Sequence, residues 1–334
     1  METASPAGEA TRLYAATGDG VARLTESGGE WAVELSLRGS GAQCLAVDPR
    51  DPETVYAGLR EGGVRRTADG GQTWVDCDLP EPGVFSLAVR AADGAVYAGT
   101  EPSRLYRSDD GGRNWRELEA LLELPSRPTW SFPPRPWTSH VRWIAPSPHD
   151  AETLLVGIEL GGLMRSTDGG RSWQDHRPGA QRDVHCLAWH PRVEGRAYEA
   201  GGGGAAFSED GGDTWHPADE GRDRNYTWAV AVDPEDPTSG MSPPAPAPSP
   251  PTGVAIPRRA SSGAATASGA RSRAGFRSRC PRCRTRSWRR TAACSRASPT
   301  VSSGRAWTAA RAGGPARRGA LGSPSSARWR SVAS

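Results

Sequence analysis

Lysine is absent from the 334 residues, and arginine supplies all 41 basic side chains. A GC-rich coding sequence accounts for that bias without any mechanism. Long apolar runs are missing too. No stretch approaches the ~18 residues of a spanning helix, so no membrane association is expected. The start, Met1 to Arg12, has no apolar segment of a secretory signal, and a cytoplasmic location is expected. Cysteine is scarce: six residues, Cys44, Cys77, Cys186, Cys280, Cys283 and Cys294, without regular spacing. That excludes a disulfide-stapled scaffold. Acidic residues are absent from 241–334, which hold 18 Arg and a charge of +18, whereas 1–240 hold 23 Arg, all 38 acidic residues and a charge of −15. The chain carries two compositions, and each needs its own explanation.

What is present is a repeat. Thr67-Ala68-Asp69-Gly70-Gly71-Gln72-Thr73-Trp74 recurs as Ser108-Asp109-Asp110-Gly111-Gly112-Arg113-Asn114-Trp115. It recurs again from Ser166 through Asp168 to Trp173, and from Ser208 through Asp210 to Trp215. A shorter, degenerate copy runs from Thr25 to Trp31. The tryptophans stand 43, 41, 58 and 42 residues apart, the long interval holding an insertion at roughly 126–138. A period of ~40–50 residues marks propellers and arrays. Before each box come three short β-branched or aromatic runs separated by Asp-Pro or Gly turns, such as Cys44 to Val47, Thr54 to Gly58 and Gly63 to Arg66. These predict strands, and a fourth strand is expected to begin at each box Trp. Four strands per unit without helical periodicity make a propeller blade.

Residue chemistry explains the box. The Gly pair supplies positive φ for a tight turn. The Asp carboxylate accepts backbone N–H groups inside it. The Trp buries a large apolar body between blades. Asp69, Asp110, Asp168 and Asp210, with Trp74, Trp115, Trp173 and Trp215, are therefore structural positions, and turn chemistry explains the Asp without a catalytic role.

These boxes resemble those of the Asp-box, or BNR-repeat, β-propellers over roughly residues 11–237. That superfamily includes sialidases, xyloglucan-degrading glycoside hydrolases, the sortilin ectodomain and photosystem II assembly factors. The resemblance implies an all-β propeller but leaves activity open, because the superfamily contains enzymes and binding proteins alike. About five blades are readable and about seven would complete a ring. The opening Leu13 to Val21 looks like the second and third strands of a blade that C-terminal strands would complete. The expected domains are an incomplete propeller at 1–238 and a low-complexity tail at 239–334.

The tail supports two readings. A native basic tail would bind nucleic acid without specificity. A reading-frame error in a GC-rich gene would also yield an Arg/Ala/Ser/Pro mixture that cannot bury a core. The unclosed repeat, broken just after Asp233-Pro234-Glu235-Asp236-Pro237, favours the frame error. Cys280-Pro281-Arg282-Cys283 lacks the further ligands of a zinc site, and no metal or cofactor is expected.

In a four-stranded blade, the loops before strand 1 and between strands 2 and 3 share one face, and the boxes share the other. The first face collects Gln43, His140, Arg142, His185, Asn225 and Tyr226, together with Glu61, Glu101, Arg104, Glu159 and Glu199. The four Glu lie 13, 14, 14 and 16 residues before their box Trp, which predicts equivalent rim positions. Such a mouth would bind a small polar ligand or saccharide, with His140, Arg142, His185, Tyr226, Arg104 and Trp137 as contacts. Glu101, Glu159 and Glu199 are the candidate catalytic carboxylates for a glycoside hydrolase, sialidase-like or xyloglucanase-like. Three rim Arg cannot be placed, which argues against sialidase chemistry. The same Glu are also what a repeat places at surface loops for solubility. The insertion Trp130 to His140 presents either an exposed stacking platform or a plug over the channel. The run Gly201 to Gly204 would allow close approach of a ligand.

Overall fold

The computed structural model describes residues 12–132, 138–220, 225–238, 240–241 and 309–312. All of them belong to one compact unit of the chain. The architecture is all-β: five antiparallel blade sheets follow one another. The first contains Arg12–Ala16, Val21–Ser27 and Glu30–Ser36. The second contains Ala42–Asp48, Asp51–Leu59, Val64–Thr67 and Val75–Asp76. The third contains Val84–Val89, Val96–Thr100, Leu105–Ser108 and Arg116–Glu117. The fourth contains Val141–Pro146, Leu154–Ile158 and Gly162–Ser166, with a single bridge from Arg165 to Gln174 in the fourth-strand position. The fifth contains Val184–Trp189, Ala197–Gly201, Gly204–Ser208 and His216–Pro217. A two-stranded ladder, Ala231–Val232 with Gly240–Met241, begins another.

The first sheet gains a strand from the far end of the chain. Ala309–Ala312 pairs antiparallel with Arg12–Ala16, Arg12 opposite Ala312. The opening segments, read from the sequence as the second and third strands of a blade that C-terminal strands complete, hold those places in the sheet, with Ala309–Ala312 in the first. Ladder pairing uses backbone N–H and C=O groups, so an edge can recruit a segment whose side-chain pattern shows no strand.

Each box closes through the hydrogen bonds its composition predicts. Ser108 Oγ donates to Asp110 Oδ1 at 2.8 Å and accepts the Gly112 N–H at 2.8 Å. Asp110 Oδ1 accepts the Arg113 and Asn114 N–H groups at 3.0 and 2.9 Å, and Asn114 Nδ2 donates to Oδ2 at 2.6 Å. These bonds, the Asn114 side chain foremost, hold the Asp110 carboxyl below the usual carboxylate range. The box tryptophans wedge between sheets. Trp74 packs on the cluster of Tyr14, Leu45 and Val55, and Trp115 on that of Tyr56, Val84 and Tyr106. Trp173 packs on Tyr97, Val141 and Met164, and Trp215 lies inside the cluster of Leu155, Leu163 and Leu187. One box indole thus serves each of four inter-sheet cores.

The degenerate copy is a correction. Gly28 and Gly29, at φ 62° and 86°, form a two-residue hairpin loop with Ser27 opposite Glu30, the geometry of a primed turn. With one residue fewer than a box, its indole cannot fold back, and Trp31 stays 46% exposed. The insertion begins earlier than its sequence limits suggest. Its 3-10 turns Glu119–Glu123 and Arg127–Thr129 lead to a buried Trp130 that packs with Leu121 and Leu124. Trp130 is therefore a core residue of the third and fourth sheets, and not an exposed stacking platform.

One irregularity recurs in every innermost strand of sheets two to five. Register shifts fall between Ala42 and Cys44, Val84 and Ser86, Val141 and Trp143, and Val184 and Cys186. A bulge leaves one residue without a cross-strand partner and re-aims its side chain. The four bulged residues are Gln43, Phe85, Arg142 and His185.

Candidate functional site

The bulges gather the site. Phe85 from the third sheet stacks on the His140 ring at 3.7 Å between centroids, and Phe132 meets the same ring edge-on at 4.9 Å. His140 precedes the fourth sheet's innermost strand. Its Nε2 lies 2.6 Å from Glu159 Oε2. Glu159 directly follows the second strand of that sheet, and Glu101 takes the same place one sheet earlier. Glu101 Oε2 stands 3.8 Å from His140 Nδ1. One imidazole thus separates two carboxylates. Arg142 Nε is 3.5 Å from Glu159 Oε2. Burial alone would raise Glu159, but the His140 hydrogen bond and the Arg142 charge outweigh it and keep the carboxyl below its ordinary value.

Arg142 is 9% exposed, and its Nε and Nη2 are buried without a hydrogen-bond acceptor among the described residues. His140 is wholly buried, and its Nδ1 likewise has no hydrogen-bond partner among the described residues. Because Nε2 faces a carboxylate that can only accept, Nε2 carries a proton. A cavity of about 80 Å³ adjoins Arg142, bounded also by Gln43, Phe85 and Trp143.

The fifth sheet supplies the other half. His185 Nδ1 lies 2.6 Å from Thr227 O, and His185 Nε2 lies 3.4 Å from both Asp183 Oδ1 and Tyr226 Oη. Trp228 stacks on the His185 ring at 4.4 Å. Burial first, then the charges of Asp183 and Glu159, pushes the Tyr226 hydroxyl up to about 12. The glycine run holds this part together. Thr227 donates its N–H to Gly201 O at 3.0 Å, and Gly201 N donates to Thr227 Oγ1 at 2.9 Å. A Cβ at Gly202 would stand 2.1 Å from Asp183 Oδ2. The run therefore makes room for protein groups, where the sequence suggested room for a ligand.

The structure brings together His140, Arg142, Glu159, His185 and Tyr226, with Glu101 at the edge. Glu199 and Arg104 are corrections. Glu199 lies within a strand, opposite Leu187, rather than in a rim loop. It is fully buried, accepts the Gln181 N–H at 2.9 Å, and burial raises it to about 8. The spacing of 16 residues to its box Trp, against 14 for Glu101 and Glu159, signals that it is out of step. Arg104 is drawn away by Glu117 at 2.8 Å and Glu81 at 3.2 Å. Trp137 lies outside the described residues. Phe85, Asp183 and Trp228 are site residues that the sequence did not single out. Aligning the four innermost strands would have put Phe85 in the column of Arg142 and His185. A larger hollow of about 500 Å³ lies on the box side, lined by Asp48, Asp93 and Asp110. Its carboxylates are committed to Arg50, Arg90 and the box turn.

No family model and no curated protein sequence matches the chain. Solved structures do share its fold. The GH74 xyloglucanase from Xanthomonas campestris is 18% identical over 67% of this chain and 39% of its own length, at a TM-score of 0.50. An ancestral GH74 enzyme is 20% identical over 58% of this chain and 26% of its own, at 0.47. YCF48 from Cyanidioschyzon merolae is 17% identical over 57% and 59%, at 0.39. The chain spans less than half the length of either GH74 enzyme. At these identities the likeness is one of fold.

Proposed function

Since this chain folds as a β-propeller whose turns carry Asp-box sequences, we propose that it binds a polar ligand, a saccharide, at the channel mouth built by His140, Arg142, Glu159, His185 and Tyr226. The observation that carries this is Arg142. A buried guanidinium is costly unless its donors are accepted, and among the described residues Nη2 finds no acceptor and Nε has only the Glu159 carboxylate at 3.5 Å, beyond a well-formed hydrogen bond. Next to it stands His140 Nδ1, which has no hydrogen-bond partner among the described residues. A sugar hydroxyl both donates and accepts, so it fits this pair. Phe85, Phe132 and Trp228 add ring surface of the kind sugars pack against. The test is calorimetric titration with neutral oligosaccharides, xyloglucan fragments first. Saturable binding, weakened about tenfold by Arg142→Gln as a lost charge-assisted hydrogen bond predicts, supports the reading. No binding, or an unaffected variant, refutes it.

Glycoside hydrolysis is the second reading, favoured by Glu101 and Glu159 flanking one imidazole. A pair of carboxylates across a cleft is the requirement for that chemistry. Release of reducing ends from xyloglucan, abolished by Glu159→Gln and by Glu101→Gln, would establish it. Binding without turnover leaves the first reading alone.

A further inference from the structure

We propose that Glu159, Asp183 and His185 form a binding site for a first-row divalent cation of the zinc type. One ligand atom from each of the three lies within 4.8 Å of the others. Tetrahedral bonds of about 2.1 Å to one ion place ligand atoms about 3.4 Å apart, so closure onto an ion draws the three side chains together by up to about 1.4 Å. Glu159 and His185 are buried, and Asp183 is half-buried.

The independent observation is the orientation of His185. Its Nδ1 lies 2.6 Å from the carbonyl of Thr227, which only accepts, so Nδ1 carries the proton. In the neutral ring the lone pair then sits on Nε2, which faces the Asp183 carboxylate at 3.4 Å. Tyr226 Oη also lies 3.4 Å from Nε2, so an ion bound there takes the place of that hydroxyl at the lone pair. Metal-ligating histidines show this arrangement, one nitrogen donating to a carbonyl and the other presented to the ion. Thr227 is fixed in turn by Gly201, and Gly202 leaves the space in which the Asp183 carboxylate stands.

Charge agrees with a dication. Two carboxylates outnumber the one Arg142 guanidinium at the site, and Glu101 adds a third acid beyond His140. One imidazole with two carboxylates suits zinc, cobalt or manganese better than calcium, which takes six to eight oxygens. Three protein ligands leave a coordination position open. The inference goes beyond the saccharide reading and does not depend on it.

The experiment is calorimetric titration of the chelator-treated full chain with ZnCl2, in a Cys280→Ser/Cys283→Ser/Cys294→Ser background that removes competing thiols. Binding of one equivalent is expected, weakened at least tenfold by Asp183→Asn and by Gly202→Ala, which leaves every ligand in place. The Co2+ form should show visible ligand-field absorption without a thiolate charge-transfer band. No saturable binding, or binding unchanged in Asp183→Asn and Gly202→Ala, overturns the proposal. Saccharide titration in chelator separates the two readings. Sugar binding without zinc binding sinks only the cation site; zinc binding without sugar binding sinks only the earlier reading.

Discussion

Replacing Glu199 with Gln should flatten the dependence of stability on pH. The carboxyl is fully buried, and a single backbone N–H, from Gln181, opposes the burial that lifts it from 4.5 to about 8. Its folded value is raised, so its contribution is complete below the unfolded value, near 4.5. That contribution is lost as pH rises through about 8. Each unit in this window is worth about 1.4 kcal/mol. Between pH 5 and 8 the wild-type protein should therefore lose about 3.5 kcal/mol through this one group, on the order of a third of a typical domain's stability. Gln keeps an acceptor for the Gln181 N–H and cannot ionise. Urea denaturation of both proteins at half-unit steps from pH 5 to 8.5 measures the difference. Parallel curves for wild type and Glu199→Gln would show that the carboxyl is hydrated in solution, and the argument from burial would fall.

Trp215 is 3% exposed in the core between the fourth and fifth sheets, so Trp215→Ala should cost about 3–5 kcal/mol; a thermal midpoint unchanged within 2–3 °C would contradict the wedge role. Box hydrogen bonds depress Asp210 to about 2, against the upward push of its partial burial. Their contribution is present above the ordinary value of 3.8 and disappears as pH falls toward about 2. Asp210→Asn should therefore shallow the acid limb of the stability curve measured by circular dichroism from pH 5 to 2, and an unchanged limb would show the box bonds to be absent in solution.

The blades were legible because their signals are local. Gly111, Gly112, Asp110 and Trp115 act within eight consecutive residues, and each does what its own chemistry requires. The site was half legible. His140, Arg142, Glu159, His185 and Tyr226 fall on the predicted rim because they occupy repeat positions next to strand ends. Counting back from the box Trp failed for Glu199, because 16 residues back falls inside the second strand, as Gly99 and Gly157 do in the third and fourth sheets. It failed for Arg104 because distance along the chain says nothing of nearby acids such as Glu81. Asp183 was invisible for a different reason. Its interest lies wholly in what faces it, namely a histidine nitrogen oriented by Thr227, 42 residues further along the chain than that histidine.

The recurring bulge gives the molecule interchangeable sockets. Positions 43, 85, 142 and 185 carry amide, phenyl, guanidinium and imidazole on nearly the same backbone. None of them has a cross-strand partner in the ladder, so exchanging a side chain there leaves sheet register alone. A scaffold so arranged can change what it recognises one blade at a time, with its framework untouched.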